Sequence, residues 1–254
     1  MVPLVAVAHG SRDPRSAATI HALSDVVRCM APDIDVRVAF LDLSAPRLAD
    51  VLAAVHADGH DEVIVVPLLL GSAYHARVDI PGALAWVAGR HPRLRIRLAD
   101  VLGPDPRLES VALRRLADAG ASLDDSRLGV VLTGAGSSHQ PANAAVHDVA
   151  ARWARRTSWA GAVAAFAAAT EPTVPAAIAA LRARGARRIA VGSWFLAPGL
   201  LPDRVRHAAG HAMIAEPLGA DPVLAEIVLD RYATAERMED GWPTSWCITA
   251  STVA

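Results

Sequence analysis

The second half of this chain repeats the first, and that duplication restricts the fold more than any other feature of the sequence. Leu128–Gly136 (LGVVLTGAG) matches the opening apolar run and its loop, and Pro141 falls 127 positions after Pro14. Phe166–Pro172 aligns with Phe40–Pro46 at an offset of 126, as does Arg188–Leu201 with Glu62–His75. Leu218–Pro222 echoes Leu102–Pro106 at an offset of 116, so the second copy is shorter between its third and fourth strands. Copies of roughly 120 residues are domain-sized, too long for solenoid units. The polar stretch Ala121–Arg127 reads as the linker. It separates an N-terminal lobe, 1–121, from a C-terminal lobe, 128–254, whose tail from about 239, with Trp242, Pro243 and Trp246, has no repeat partner.

Within the first copy, strand and helix alternate four times. Leu4–Ala8, Asp35–Leu41, Glu62–Val66 and Leu94–Ala99 are short apolar runs of the kind that form buried strands. Between them lie helical patterns over Ser16–Met30, Ala45–Ala57 with Pro46 in its first turn, a helix opened by Asp79 and Pro81 to about Gly89, and Pro106–Ala119. The pattern predicts an α/β fold of two similar lobes, each a four-stranded parallel sheet flanked by helices with right-handed crossovers. A flavodoxin-like strand order, 2-1-3-4, puts the ligand crevice at the carboxyl ends of strands one and three.

At 53% hydrophobic and 20% charged, the 254 residues can bury a core and do not resemble a disordered chain. A net charge of −1 supplies no field to draw nucleic acid. All 25 basic residues are arginines, which offer rigid forks to an acidic substrate. Cys29 and Cys247 stand too far apart for a zinc-ribbon or iron–sulfur motif and suit a reducing compartment. No basic region precedes the first apolar run, which therefore reads as a strand and not a signal peptide. The longest apolar stretch, Trp159–Ala169, falls short of the ~18–20 residues that span a bilayer. A cytoplasmic protein without membrane or nucleic-acid partners is expected.

The repeat also acts as an internal control: polar groups present in one copy only are candidates for chemistry. At the offsets above, His9 faces Gly136, Asp42 faces Ala168 and His75 faces Leu201. All three polar residues fall at strand ends of the first copy, and His75 lies in a loop of ~12 residues, longer than most connections of its type. Imidazole binds divalent iron, cobalt, nickel and zinc, and serves as a base near neutral pH. Two histidines and a carboxylate leave coordination positions open. The Gly-x-Ser-x-Gly elbow of serine hydrolases is absent, and Gly134-Ala135-Gly136-Ser137-Ser138 is only part of a dinucleotide fingerprint.

His9-Gly10-Ser11-Arg12-Asp13-Pro14, Phe40-Leu41-Asp42-Leu43 and Pro67-Leu-Leu-Leu-Gly-Ser-Ala-Tyr-His-Ala-Arg-Val-Asp-Ile-Pro81 resemble the class II sirohydrochlorin chelatases. The resemblance covers the first copy closely and the second as the degenerate lobe of the long, two-lobed form. It implies a lyase that inserts Fe²⁺ or Co²⁺ into sirohydrochlorin, for siroheme or cobalamin, in a cleft between the lobes. No organic cofactor is implied, and the divalent metal is a substrate. The resemblance makes His9 and His75 the catalytic histidines and puts Asp42, where the family often has Glu, with them at the metal. Gly10, Ser11, Arg12 and Arg77 lie where they would receive the carboxylates of sirohydrochlorin. Two fused lobes can complete a cleft within one chain, so a monomer is expected. A carrier that binds metal or tetrapyrrole through the same histidines, without turnover, is the alternative.

The remaining histidines read as surface or capping groups. His56 and His60, like His207 and His211, have i,i+4 spacing, but Gly59 and Gly210 interrupt both pairs. His139, 127 positions after Arg12, is a candidate for substrate contact from the second lobe. Trp194 and Phe195 suit either a macrocycle pocket or the core.

Overall fold

The computed structural model of the chain describes residues 1–71, 74–168 and 170–238, with Tyr74–Val78 described for their helical backbone only. Its first repeat runs β1 (Leu4–Ala8), α1 (Pro14–Met30), β2 (Val36–Phe40), α2 (Leu48–Ala57), β3 (Glu62–Pro67), α3 (Tyr74–Arg90), β4 (Arg95–Leu98) and α4 (Pro106–Asp118). The second runs β5 (Leu128–Gly134), α5 (Gln140–Arg156), β6 (Gly161–Phe166), α6 (Val174–Ala183), β7 (Arg188–Ser193), α7 (Leu200–Ala209), β8 (Met213–Ile214) and α8 (Pro222–Arg237). The sheets are wholly parallel, ordered β2-β1-β3-β4 and β6-β5-β7-β8, as the alternating pattern predicts.

The central strands are apolar because helices cover both faces of each sheet. Every residue of β1 and of β5 is buried. On one face of the first sheet, Val5, Val7, Val63 and Val65 pack with Leu48, Leu52 and Val55 of α2 and Ile80, Leu84 and Val87 of α3. In the second sheet, Val131, Ala165 and Val191 pack with Leu181 of α6 and Val205 of α7. Helix starts are fixed locally. Asp13, Asp105 and Asp221 cap α1, α4 and α8, each followed by a proline whose missing N–H no helix needs there.

The compact units do not follow the repeat boundary. One comprises Met1–Gly103 with the segment from Ala220 onward, and the other Pro104–Gly219. In the first unit, α8 packs on β3, β4 and α1. There Arg231 donates to the carbonyls of Val101 (2.9 Å) and Leu102 (3.0 Å), and Arg97 reaches the carbonyls that end α8. In the second unit α4 packs on β7, with Arg115 donating to the Leu218 carbonyl at 3.1 Å. The last helix of each sequence copy thus serves the other copy's sheet. The stretch expected as a linker, Ala121–Arg127, lies inside the second unit, where the Ser122 carbonyl accepts from Trp159 and Asp125 pairs with Arg188.

Two element starts differ from the sequence expectation by three residues or more. Pro46 stays outside α2, because its carbonyl accepts from Phe40 N–H at 2.9 Å and so folds the β2–α2 turn back along the strand. Helix α3 begins at Tyr74, not near Asp79, and carries Pro81 within it; His75 therefore sits in a first helical turn instead of a loop. The shortening of the second copy falls in this helix and the strand after it. Helix α3 has 17 residues and α7 has 10, and β4 has 4 residues against 2 in β8. Among the described residues no helix is long and apolar enough to cross a membrane. The tail from about 239 and Cys247 lie outside the described residues.

Candidate functional site

Where β1 and β2 end, the two following loops are pressed together. Leu41 N–H donates to the Ala8 carbonyl at 3.0 Å, and Asp42 N–H to the His9 carbonyl at 2.9 Å. Gly10 then turns the chain with φ +96°, and a Cβ there would stand 1.7 Å from the Asp42 carbonyl oxygen. Both facts require glycine. Ser44 ties the loops a second time. Its Oγ accepts from Ser11 N–H at 3.1 Å and donates to the Ser11 carbonyl at 2.9 Å. Ser11 Oγ accepts in turn from Asp13 N–H at 3.0 Å, and Asp13 caps α1. Leu43 adopts φ +59° within a tight turn closed by Ser44 N–H to the Asp42 carbonyl, 2.7 Å.

This frame sets His9, Arg12 and Asp42 at the surface and leaves Gly10 and Ser11 half-buried. The Asp42 carboxylate accepts from Arg47 Nη1 at 2.7 Å, and the same nitrogen donates to the Leu41 carbonyl at 3.0 Å. That guanidinium, chiefly, holds the Asp42 carboxyl below the usual carboxylate range, with the Leu43 N–H acting in the same direction. On the other side of β1, Leu68 N–H donates to the Val7 carbonyl at 2.8 Å and carries the pairing past the end of β3. The chain then enters α3, whose first turn includes His75. The side chains of His75 and Arg77 lie outside the described residues. Asp42, His9 and the segment leading to His75 thus leave the carboxyl edges of three adjacent strands, β2, β1 and β3. Among the described residues, no three His, Cys, Asp or Glu side chains gather as a metal site.

The second lobe reproduces this frame without the imidazole and the carboxylate, and it corrects the register of the comparison. Gly136 has φ +85°, and its Cβ would lie 1.9 Å from the Ala168 carbonyl oxygen. Ala168 N–H donates to the Ala135 carbonyl at 3.0 Å. Gly136 therefore corresponds to Gly10, and the counterpart of His9 is Ala135. The offset is 126 here too. The 127 suggested by the prolines arises because Pro14 is the first residue of α1, whereas Gln140 precedes Pro141 in α5. His139 corresponds to Asp13 and not to Arg12: both are N-caps, and Ser137 Oγ accepts from His139 N–H as Ser11 Oγ does from Asp13 N–H. In this register His9 and Asp42 both face alanine.

Two residues of the frame escaped the sequence reading. Ser44 and Arg47 face Thr170 and Thr173, and the offset of 126 makes both pairs visible. Where Ser44 holds Ser11, the second lobe uses the buried Asn143 of α5 to hold Ser137, at 2.9 and 2.7 Å. The other histidines stand elsewhere. His56 lies in the last turn of α2, its ring 5.2 Å from that of His91. His207 and His211 are exposed around the end of α7. Trp194 is buried and Phe195 packs against the core.

The family model described as CbiX matches residues 3–119 and 129–235. A sirohydrochlorin ferrochelatase of Bacillus subtilis (strain 168) is 33% identical over 132 residues, which is 52% of this chain and 50% of that protein. The chain therefore spans about half the length of that relative. A sirohydrochlorin cobaltochelatase of Priestia megaterium is 23% identical over 207 residues, covering 81% of this chain and 67% of that protein. The structure of SirB from Bacillus subtilis with Fe³⁺ superposes with a TM-score of 0.79 at 23% identity, over 93% of this chain and 96% of that one. At that identity the superposition shows a shared two-lobed fold.

Proposed function

The chain belongs to the CbiX family, and from that premise we propose that it is a lyase inserting Fe²⁺ or Co²⁺ into sirohydrochlorin. The observation that carries the reading is the contrast between matched frames. The first lobe places an imidazole and an ionised carboxylate at the carboxyl edge of its sheet, and the second has Ala135 and Ala168 at the same backbone positions.

Insertion requires a tetrapyrrole to lose two pyrrole N–H protons while it gains a dication. His9 and His75 are the groups assigned to this work: the lone pair of a neutral imidazole presents the metal to the ring nitrogens or accepts a proton from them. Asp42, already ionised, adds an anionic oxygen that stabilises the ion on arrival. The carboxylates of sirohydrochlorin suit the guanidinium forks of Arg12 and Arg77 beside the Gly10–Ser11 turn. The metal enters and leaves as a substrate, and no organic cofactor is required.

The test is to mix protein, sirohydrochlorin and Fe²⁺ or Co²⁺ without oxygen and follow the tetrapyrrole absorption. Conversion of many equivalents per chain supports a chelatase. A shift that stops at one equivalent identifies a carrier and overturns the proposal. Running both metals separates the siroheme from the cobalamin assignment.

A further inference from the structure

Residue 47 is where the two lobes differ at a shared backbone position without an evident structural gain. Phe40 bridges Arg47 just as Phe166 bridges Thr173. Thr173 caps α6 by accepting from Ala176 N–H, whereas Arg47 stands at the start of α2 and makes no capping bond. The first lobe lacks that cap. What it has instead is an ion pair whose partners are 51% and 57% exposed, and such pairs add little to folding. Arg47 Nη1 also donates to the Leu41 carbonyl, so the guanidinium stays beside Asp42 even when another cation takes the carboxylate.

We infer that Arg47 is a positioning residue that loosens the hold of Asp42 on the incoming metal ion, an inference that rests on the chelatase function proposed above. An ion bound about 2.1 Å from an Asp42 oxygen would stand within roughly 5 Å of the guanidinium. One carboxylate oxygen is engaged by Arg47, and the like charge raises the energy of the bound ion. A protein that must surrender a metal to a macrocycle gains from this: binding that is too favourable before transfer slows the transfer itself.

The test uses Co²⁺ as the probe, with Arg47→Gln removing the charge and Arg47→Lys keeping it. Equilibrium dialysis without tetrapyrrole should show R47Q binding Co²⁺ about three- to tenfold tighter than the parent, and R47K close to the parent. In turnover, KM for Co²⁺ and kcat should fall together in R47Q; a folding defect would lower kcat alone. The tightening should vanish when Asp42→Asn is added. Unchanged or weaker Co²⁺ binding in R47Q, or tightening that survives D42N, overturns the inference. Should R47Q not fold, Arg47→Thr, the residue the second lobe carries, takes its place. If the parent protein binds Co²⁺ but does not turn over, the chelatase reading fails, while the dialysis comparison still decides the role of Arg47.

Discussion

The backbone N–H of Asp42 donates to the carbonyl oxygen of His9 across 2.9 Å, so the two candidate groups belong to one rigid piece of main chain. The same bond joins Ala168 to Ala135 in the second lobe, at 3.0 Å. The frame is therefore a property of the fold, and the chemistry is a matter of which side chains it carries.

Because His9 and Asp42 are exposed, their side chains contribute to reaction more than to folding. His9→Ala and Asp42→Asn should each leave thermal unfolding nearly unchanged and cut metal insertion at least tenfold. Anaerobic turnover of sirohydrochlorin beside a melting curve checks both, and full activity in H9A would remove the proposed mechanism.

Glycine substitutions separate frame from chemistry. A methyl group at residue 10 would meet the Asp42 carbonyl at 1.7 Å, and at residue 136 the Ala168 carbonyl at 1.9 Å, in each case at positive φ. Gly10→Ala and Gly136→Ala should both destabilise by about 2 kcal/mol or more. Only G10A moves Asp42. The folded fraction of G136A should keep parental turnover and that of G10A should not, as measured below the melting range.

Ser44→Ala removes both bonds to Ser11, at a cost of roughly 1–2 kcal/mol. The His9 and Asp42 loops stay joined by the main-chain bonds but lose their second tie. Turnover should fall several-fold with little change in KM for sirohydrochlorin, and Ser44→Thr should restore part of it. Equal activity in S44A would show that the main-chain bonds suffice.

Much of this was legible in the sequence because the repeat supplied its own comparison. Strand runs such as Leu4–Ala8 and Glu62–Val66 appear in the structure within a residue, since a strand buried on both faces has to be apolar throughout. The prolines pair His9 with Gly136 one residue out of register, because Pro is tolerated at either of the first two helical positions, whereas positive φ against a carbonyl fixes Gly10 and Gly136 uniquely. The start of α3 is hidden for a related reason, because Asp79 and Pro81 resemble a helix start yet lie within the helix. The exchange of α4 and α8 has no local signature. Each helix is amphipathic, and nothing in an amphipathic stripe names the sheet it will cover.

That exchange yields a prediction with a definite pH dependence. Tyr232 of α8 is buried, and its hydroxyl donates to the Val2 carbonyl at 2.7 Å, anchoring the last described helix to the first residues of the chain. Burial, foremost, with the charge of Glu236 adding to it, pushes the Tyr232 hydroxyl up to about 12. An acid whose pKa is higher in the folded state stabilises the fold in its neutral form. The contribution is complete below the unfolded value of about 10 and is lost as the pH rises through about 12. Tyr232→Phe should cost about 1 kcal/mol at neutral pH, since it leaves the Val2 carbonyl without its donor. It should also remove this residue's share of the loss of stability between pH 10 and 12. Denaturant unfolding of parent and Y232F across that range checks the sign: the two curves should converge, and Y232F should lose less stability. Parallel curves would mean that the hydroxyl ionises in the folded protein as readily as in the unfolded chain, and that α8 is not held by it.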